Sequence, residues 1–271
     1  MEEDSKEGRN LPLRTAPSAT DISGPAAPKT PRVQPNEEPQ SKRQSPLVEL
    51  VDVKKYYGQV KALDDISFCA REGEFISFVG ASGAGKSTLV KLLIREERPS
   101  EGEIRVAGRN IGALSFADVP FYRRKLGVVF QDFKLLPQKT VAENVAYALE
   151  ICDVDDAEIR ERVPKILSLV GLVRFAKRYP HEISGGEQQR TAIARALVHN
   201  PQIVVADEPT GNLDPESSLE VIETFKKINE TGTLVILASH NKAIVDNLKR
   251  RVILLRDGKI VSDQNPGRYA L

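Results

Sequence analysis

The stretch that most constrains the fold runs from residue 75 to residue 94, where an apolar strand leads into a glycine-rich turn and an apolar helix face. The turn, residues 80–88, has the pattern G-x-x-x-x-G-K-S. This strand, loop and helix context is typical of a phosphate-binding P-loop. Glycines let backbone N–H groups surround an anion, Lys86 can reach the β- and γ-phosphates, and the Ser87 hydroxyl can ligate Mg²⁺. The predicted nucleotide-binding residues are Gly80, Ala81, Ser82, Gly83, Ala84, Gly85, Lys86, Ser87 and Thr88.

Two further apolar segments end in residues that suit phosphate chemistry. Residues 203–206 run into Asp207 and Glu208, and residues 233–238 are followed closely by His240. Beside a P-loop, an aspartate at a strand end holds Mg²⁺, and the next glutamate can orient or deprotonate the attacking water. The alternative is that the two carboxylates cap a helix. A histidine at the same edge can contact a γ-phosphate or its water, so the pattern predicts nucleotide hydrolysis.

The polar segment at residues 183–190, with the sequence ISGGEQQR, predicts a second phosphate contact. Ser184, Gly185 and Gly186 precede a helix predicted over residues 187–199. They place a hydroxyl and free backbone N–H groups at a helix N-terminus, where the macrodipole favours an anion. Because a P-loop already lies about a hundred residues earlier, this segment predicts one half of a paired site.

Composition narrows the class of protein without naming a partner. The chain has 271 residues, 40% of them apolar, and a formal net charge of +1, so no basic excess predicts a nucleic-acid partner. The apolar runs are too short to cross a bilayer, and the acidic N-terminus does not resemble a signal peptide. Cys69 and Cys152 lie apart and outside any CxxC pair, which predicts reduced thiols. We expect a cytoplasmic protein that contacts the membrane only through a partner.

The chain divides into a tail and a folded domain. Residues 1–46 hold eight of the seventeen prolines and no apolar periodicity, which predicts a disordered extension. Residues 47–271 carry the strand and helix patterns, and the segments 47–53 and 62–69 predict an antiparallel arm. Between these two strands, the aromatic residues of the segment 56–58 are expected on a turn, either packed at its edge or stacked on an adenine ring.

Residues 132–185 contain helical patterns and no strand pattern. Helices are expected over residues 140–151, 156–170 and 173–179, with Pro164 as a kink or break in the second. This stretch predicts a helical subdomain that carries the ISGGEQQR segment at its end and can move against the sheet-bearing core.

Together these motifs resemble the nucleotide-binding subunit of ATP-binding cassette (ABC) systems, over nearly all of residues 47–271. The resemblance implies an α/β fold of the P-loop NTPase class, with a mixed core sheet, an antiparallel β arm and a helical subdomain. It also implies that the chain binds ATP and Mg²⁺. The implied catalytic residues are Lys86, Gln131, Glu208 and His240. The implied metal-binding residues are Ser87, Gln131 and Asp207. The implied further nucleotide contacts are Tyr57 at the adenine, Ser184, Gly185, Gly186 and Glu187 in the signature, and Asp214.

The same resemblance implies a paired assembly. Two subunits of this family close head to tail, so that the signature of one meets the ATP held by the other. We therefore expect a homodimer in the ATP-bound state. Ile183 departs from the leucine that is usual there, a change expected to alter packing more than phosphate contact.

A narrower resemblance is to the cell-division ATPases of the ABC family. It is carried by residues 95–99, 129–137 and 139–145, whereas residues 184–190 and 206–214 are shared with lipoprotein-releasing and macrolide-export relatives. It implies an integral membrane partner, control of peptidoglycan hydrolases and a peripheral position on the inner face of the cell membrane. Two alternatives stay open: a lipoprotein-releasing or macrolide-export ATPase subunit, and an ATP-gated division-site scaffold whose hydrolysis is incidental.

The contact with the membrane partner is expected in the groove around residues 131–145, where the helical subdomain meets the core. A charge placed at Leu135 or Leu136 should weaken co-purification with that partner while leaving nucleotide binding unchanged.

Overall fold

The computed structural model describes residues 45–269. The extension predicted over residues 1–46 therefore falls almost wholly outside the described part of the chain. Within residues 45–269, no helix combines the length and apolarity needed to span a bilayer. The α/β fold class predicted from the motifs is confirmed, because a mixed sheet and an antiparallel sheet are both present together with helices.

The elements follow one another from residue 48 to residue 264. The strands are β1 (Val48–Tyr57), β2 (Val60–Ala70), β3 (Phe75–Val79), β4 (Glu101–Val106), β5 (Arg109–Asn110), β6 (Leu126–Phe130), β7 (Ile203–Asp207), β8 (Leu234–Ser239), β9 (Arg251–Arg256) and β10 (Lys259–Gln264). The helices are α1 (Lys86–Leu93), α2 (Val119–Arg123), α3 (Val141–Glu150), α4 (Asp156–Leu169), α5 (Gly185–Leu197), α6 (Pro215–Glu230) and α7 (Lys242–Leu248). Two 3-10 turns lie at Val173–Phe175 and Pro180–Glu182.

The antiparallel sheet is the predicted β arm, with strand order β2-β1-β4-β5. Strands β1 and β2 pair from Val48 opposite Ala70 to Tyr57 opposite Val60. Both strands are longer than expected, so Tyr57 ends β1 and does not lie on a turn. Register shifts after Leu50 interrupt the alternation of buried and exposed positions along β1. Such irregularities hide the second half of the strand from a period-two pattern.

The core sheet has the order β10-β9-β3-β8-β7-β6. Strands β9, β3, β8, β7 and β6 run parallel, and only β10 pairs antiparallel. The strands β3 and β8 are buried along their whole length, as expected for a parallel sheet that is covered on both faces. Their carboxyl ends meet at one edge, which is where ligands bind in open α/β sheets.

Two apolar clusters cover the two faces of the core sheet. On one face, Ile76 and Phe78 of β3 pack with α1 and with arm residues such as Leu63. On the other face, Phe75 packs with α5, with α6, which carries the fully buried Phe225, and with the helical subdomain. The β3 strand therefore packs into both clusters, which fixes the position of the P-loop at its carboxyl end.

Two helix boundaries differ from the sequence expectation. Helix α4 continues through Pro164 without a break, because this proline lies on the exposed face, where a carbonyl that loses its backbone partner remains accessible to water. Helix α5 begins at Gly185, two residues before the expected start at residue 187, because the Ser184 side chain caps it.

The helix predicted over residues 173–179 is wrong, since only its first three residues form a 3-10 turn. The carbonyl oxygens of Ala176 and Arg178 accept hydrogen bonds from the backbone N–H groups of Ala142 and Val141, at 2.9 and 2.8 Å. These N–H groups belong to the first turn of α3 and have no partner inside that helix. The segment thus supplies carbonyls to α3 in place of bonding along its own axis.

Candidate nucleotide site

The P-loop takes the backbone form that its glycines predict. Gly80, Gly83 and Gly85 have φ of 154°, 80° and 107°, values that favour glycine. At Gly80 a Cβ would lie 2.3 Å from the carbonyl oxygen of Leu255, and at Gly85 it would lie 2.6 Å from Cδ2 of Leu63. The loop therefore fits between the core sheet and the arm only without side chains at these two positions.

A cavity of about 710 Å³ opens above the P-loop. Its walls bring together residues from the P-loop, from the ends of β6, β7 and β8, and from the C-terminal segment. They are Ala81, Ser82, Gly83, Gly85, Lys86, Ser87, Thr88, Gln131, Glu208, His240 and Tyr269. The sequence predicted every one of these site residues except Tyr269.

Lys86 is held by the loop that contains it. Its side chain is 6% exposed, and Nζ donates to the carbonyl oxygens of Gly80 at 2.9 Å and Ala81 at 3.2 Å. The same nitrogen lies 3.5 Å from Oε1 of Glu208. A buried ammonium requires such partners, and here they fix its charge over the floor of the cavity.

Glu208 connects Lys86 to His240. The residue has φ of 50°, in the left-handed region, and its backbone N–H donates to the carbonyl oxygen of Ala238 at 2.9 Å. Its Oε2 accepts from the backbone N–H of His240 at 3.1 Å and lies 2.8 Å from Nδ1 of the His240 ring. The carboxylate is thereby fixed between the P-loop cation and the imidazole, a position from which it can orient a water molecule.

Asp207 and Ser87 form a second polar pair at the base of the cavity. The Ser87 hydroxyl donates to Oδ1 of Asp207 at 3.1 Å. Burial raises the pKa of Asp207, and the charge of Glu208 raises it too, while the Ser87 hydroxyl and Lys86 lower it. A cation bound beside this carboxylate would offset the cost of its burial.

Gln131 lies in the wall of the cavity, but its side chain is turned towards a neighbouring loop. Its Nε2 donates to Oδ1 of Asn212 at 2.9 Å, and Nδ2 of Asn212 donates to the Gln131 carbonyl oxygen at 3.4 Å. A Cβ at Gly211 would lie 2.8 Å from Gln131 Nε2. Gln131 is therefore paired with Asn212, which is not among the predicted site residues.

Tyr57 lies at the end of β1, outside the wall of the P-loop cavity, and is 41% exposed. Its hydroxyl donates to Oε1 of Glu97 at 2.6 Å, and Nζ of Lys55 lies 5.0 Å from the ring centroid. Lys55 also pairs with Oε2 of Glu97 at 2.7 Å. Burial raises the pKa of Tyr57 to about 12, and the hydrogen bond to Glu97 is the second cause. The Tyr57 side chain is thus fixed beside the ion pair of Lys55 and Glu97 while it stays partly exposed.

The signature residues do not line the P-loop cavity of their own chain. Ser184 and Glu187 form a capping box, in which the Ser184 hydroxyl accepts from the Glu187 backbone N–H at 3.3 Å and the Glu187 carboxylate accepts from the Ser184 backbone N–H at 2.8 Å. Gly186 lies against α6, and Asp214 caps that helix by accepting from the Ser217 backbone N–H at 2.9 Å. The structure therefore keeps both predicted contacts apart from the P-loop.

Comparison with known proteins agrees with this arrangement. The sequence profile of the ABC transporter family matches residues 63–211. The cell division ATP-binding protein FtsE of Bacillus subtilis (strain 168) is 50% identical over 224 residues, which cover 82% of this chain and 98% of the relative. FtsE of Escherichia coli (strain K12) is 44% identical over 207 residues, covering 76% and 93%. A dimeric structure of the ATP-binding cassette MJ0796, in a post-hydrolysis state with ADP and Pi, matches with a TM-score of 0.73 and 35% identity over 82% of this chain and 100% of that chain.

Both levels of the resemblance expected from the sequence motifs are confirmed, and with them an ATPase activity. The profile spans the P-loop, the signature and the paired carboxylates, and the identity to the cell-division relatives extends over most of the described chain. This protein belongs to the ABC transporter family of ATP-binding proteins, and within it to the FtsE group of cell division ATP-binding proteins.

Proposed function

We propose that this chain is the ATP-hydrolysing subunit of a cell-division complex with an FtsX-like integral membrane protein, and that its ATP cycle controls peptidoglycan hydrolases through that partner. The observation that carries the proposal is the connected set Lys86, Glu208 and His240 on the wall of the P-loop cavity. Relatives at 44–50% identity carry the name FtsE and give the biological setting. The protein would lie on the inner face of the cell membrane and contact it through the partner.

Each residue of this set has one step in the proposed reaction. Lys86 neutralises phosphate charge as the bond to the leaving group breaks, because its ammonium already lies buried at the loop. Glu208 orients the attacking water or accepts its proton. His240 holds Glu208 through its Nδ1, 2.8 Å from Oε2, and lines the same cavity. Tyr57 supplies an aromatic face for the adenine ring.

The residues present fit a magnesium ion. Ser87 and Asp207 place hard oxygen donors 3.1 Å apart beside the P-loop, which is the donor chemistry that Mg²⁺ prefers. When bound, the ion neutralises charge on the phosphate oxygens. Gln131 would join this set after releasing Asn212, with which it pairs in this structure.

The Glu208→Gln variant tests the assignment of the catalytic carboxylate. The change keeps the size of the side chain and removes the charge, so ATP binding should persist while turnover is lost and an ATP-bound dimer accumulates. Light scattering with ATP measures the dimer, and phosphate release measures turnover. Glu230→Gln, on the exposed end of α6, is the matched control. If Glu208→Gln with ATP stays monomeric even with the membrane partner supplied, the shared-site mechanism fails.

The signature contacts ATP held by a second copy of the chain in this proposal. Its position away from the P-loop cavity of its own chain supports this, as does the dimeric state of MJ0796. Ser184→Arg should abolish hydrolysis with little loss of ATP affinity in the isolated subunit, and His181→Arg, three residues earlier on the exposed surface, should leave both unchanged. A collapse of ATP affinity in isolated Ser184→Arg would place the signature in the local site.

The membrane partner would dock on the groove around residues 131–145. Leu135 and Leu136 are half-buried there, so each presents apolar surface that a partner helix could cover. Leu135→Asp should weaken co-purification with the membrane subunit while nucleotide binding is retained. Val173→Asp, at an apolar residue of the helical subdomain that is 58% exposed, controls for added surface charge. Equal co-purification of the two variants would exclude the groove.

A further inference from the structure

The C-terminal segment folds back onto the nucleotide-binding core. The backbone N–H of Gly267 donates to the carbonyl oxygen of Arg250 at 2.9 Å, and the backbone N–H of Tyr269 donates to Oδ1 of Asp246 on α7 at 2.7 Å. A Cβ at Gly267 would lie 2.6 Å from Cβ of Val252, so the segment passes directly against β9. These contacts fix where the Tyr269 side chain enters the protein.

The Tyr269 ring is packed between β3, β9 and α7. It is 5% exposed and belongs to a small apolar cluster with Val79, Val245, Val252 and Leu254. Val79 is the last residue of β3, immediately before the first glycine of the P-loop. The ring therefore supports the junction from strand to P-loop, and the side chain also lines the cavity that holds Glu208 and His240.

The surroundings of the Tyr269 hydroxyl connect it to the reacting edge. Burial raises the pKa of Tyr269, the backbone N–H of Gly80 lowers it, and the charge of Glu208 raises it. Gly80 is also the residue whose carbonyl oxygen accepts from Lys86 at 2.9 Å. Gly80 thus directly follows Val79, on which the Tyr269 ring packs, and its carbonyl oxygen binds the P-loop ammonium.

A purely structural tyrosine offers a direct comparison in the same chain. Tyr122 is half-buried, and its hydroxyl donates to the carbonyl oxygen of Leu93 at the far end of α1. That hydroxyl closes a loop contact and does not line the P-loop cavity. A tyrosine that served only to fill the core beside α7 would not need to line the cavity wall.

We propose that Tyr269 is a positioning residue for ATP hydrolysis, which acts through Gly80 and Lys86 to hold the P-loop in register with Glu208. This inference rests on the ATPase function proposed above. The C-terminal segment would then belong to the active site, although it lies beyond the last residue of the family profile match, residue 211. Since α7 follows His240 along the chain, the same segment joins the helix after His240 to the start of the P-loop.

Tyr269→Phe tests the hydroxyl alone, in the chain assembled with its membrane subunit. Removing one hydrogen-bonding group from the positioning chain should lower kcat about three- to tenfold, the equivalent of one hydrogen bond, with KM for ATP within about twofold of wild type. Tyr122→Phe should keep the wild-type kcat. A Tyr269→Phe enzyme with wild-type kcat, or one in which KM rises as kcat falls, overturns the positioning role.

A fluorescence measurement tests the placement independently of turnover. The chain contains no tryptophan, so Tyr269→Trp introduces a single reporter, and Phe116→Trp, at a residue that is 92% exposed and outside the cavity wall, is the control. ADP should change the emission of Trp at 269 and leave that of Trp at 116 unchanged. An unresponsive reporter at 269 overturns the inference. Loss of ATP hydrolysis by the wild-type assembly would instead refute the proposed function, which separates the two failures.

Discussion

Replacing Asn144 with alanine should destabilise residues 136–140, which belong to the proposed docking groove. Asn144 is fully buried on α3, and its Oδ1 accepts from the Leu136 backbone N–H at 2.8 Å. Its Nδ2 donates to the carbonyl oxygens of Leu136, Lys139 and Thr140 at 3.1, 2.9 and 3.0 Å. An amide NH₂ has two hydrogens, so these contacts amount to three full bonds. At about 1 kcal/mol each, the free energy of unfolding should fall by about 3 kcal/mol.

The assay needs two measurements, because stability alone does not identify the surface. Urea unfolding gives the change in free energy by linear extrapolation, and co-purification measures the contact with the membrane subunit. Asn229→Ala is the matched control: Asn229 is 8% exposed and its Nδ2 donates to the carbonyl oxygens of Gly73, Glu74 and Thr233 at 2.9, 3.1 and 2.9 Å. Those residues lie before the amino ends of β3 and β8, at the edge opposite the P-loop.

We expect Asn229→Ala to lose about 2 kcal/mol, because its NH₂ group can make two full bonds, and only Asn144→Ala to lose the membrane subunit as well. A change below about 1 kcal/mol for Asn144→Ala would refute the count of three bonds. Equal loss of co-purification in the two variants would refute the argument that the buried amide organises the docking groove.

Three further outcomes follow from close contacts in the structure. Gly186→Ala would bring a Cβ to 2.8 Å from Oγ of Ser217, so it should cost about 1–3 kcal/mol in urea unfolding, and a Ser217→Gly background should remove most of that cost. Glu97→Gln should lower the pKa of Tyr57 from about 12 towards 10.0, because the negative charge of Glu97, which helps to raise it, is removed. A phenolate absorbance titration, with Tyr57→Phe as the reference, would then show ionisation at lower pH. An unchanged titration would contradict the ion-pair account. Glu208→Gly should be about 1 kcal/mol more stable than Glu208→Ala, because only glycine adopts its φ of 50° without strain, and equal stabilities would mean that the backbone there is unstrained.

The sequence predicted the parts of the site that local chemistry determines. The P-loop was identified because its glycines, Lys86 and Ser87 lie within nine consecutive residues between a strand and a helix. The paired carboxylates followed from a buried strand that ends in Asp207. In both places the residues that share a task are neighbours along the chain, so that spacing carries the information.

Other contacts join residues that lie far apart in the sequence, and no local sequence pattern predicts them. Gln131 and Asn212 are 81 residues apart and meet only because β6 and β7 pair in parallel. Tyr269 reaches the cavity because the C-terminal segment turns back across β9, and a single tyrosine near a chain end has no signature. The helix predicted over residues 173–179 failed for a related reason, since its carbonyls serve α3. The domain boundary at residue 47 and the catalytic and ligand roles of individual residues stay predictions.

The position of Glu208 depends on several neighbouring elements of the core sheet. A non-glycine residue in the left-handed region costs on the order of 1–3 kcal/mol and persists only where its surroundings hold it. Here the backbone N–H of Glu208 is fixed by Ala238 at the end of β8, and its carboxylate is fixed by His240, just beyond that strand, and by Lys86 of the P-loop. Three separate elements therefore determine the position of one carboxylate, and a displacement of β8 or of the P-loop moves the group that we propose orients the attacking water. Under this proposal, motion transmitted to this edge would change the rate of hydrolysis by moving Glu208.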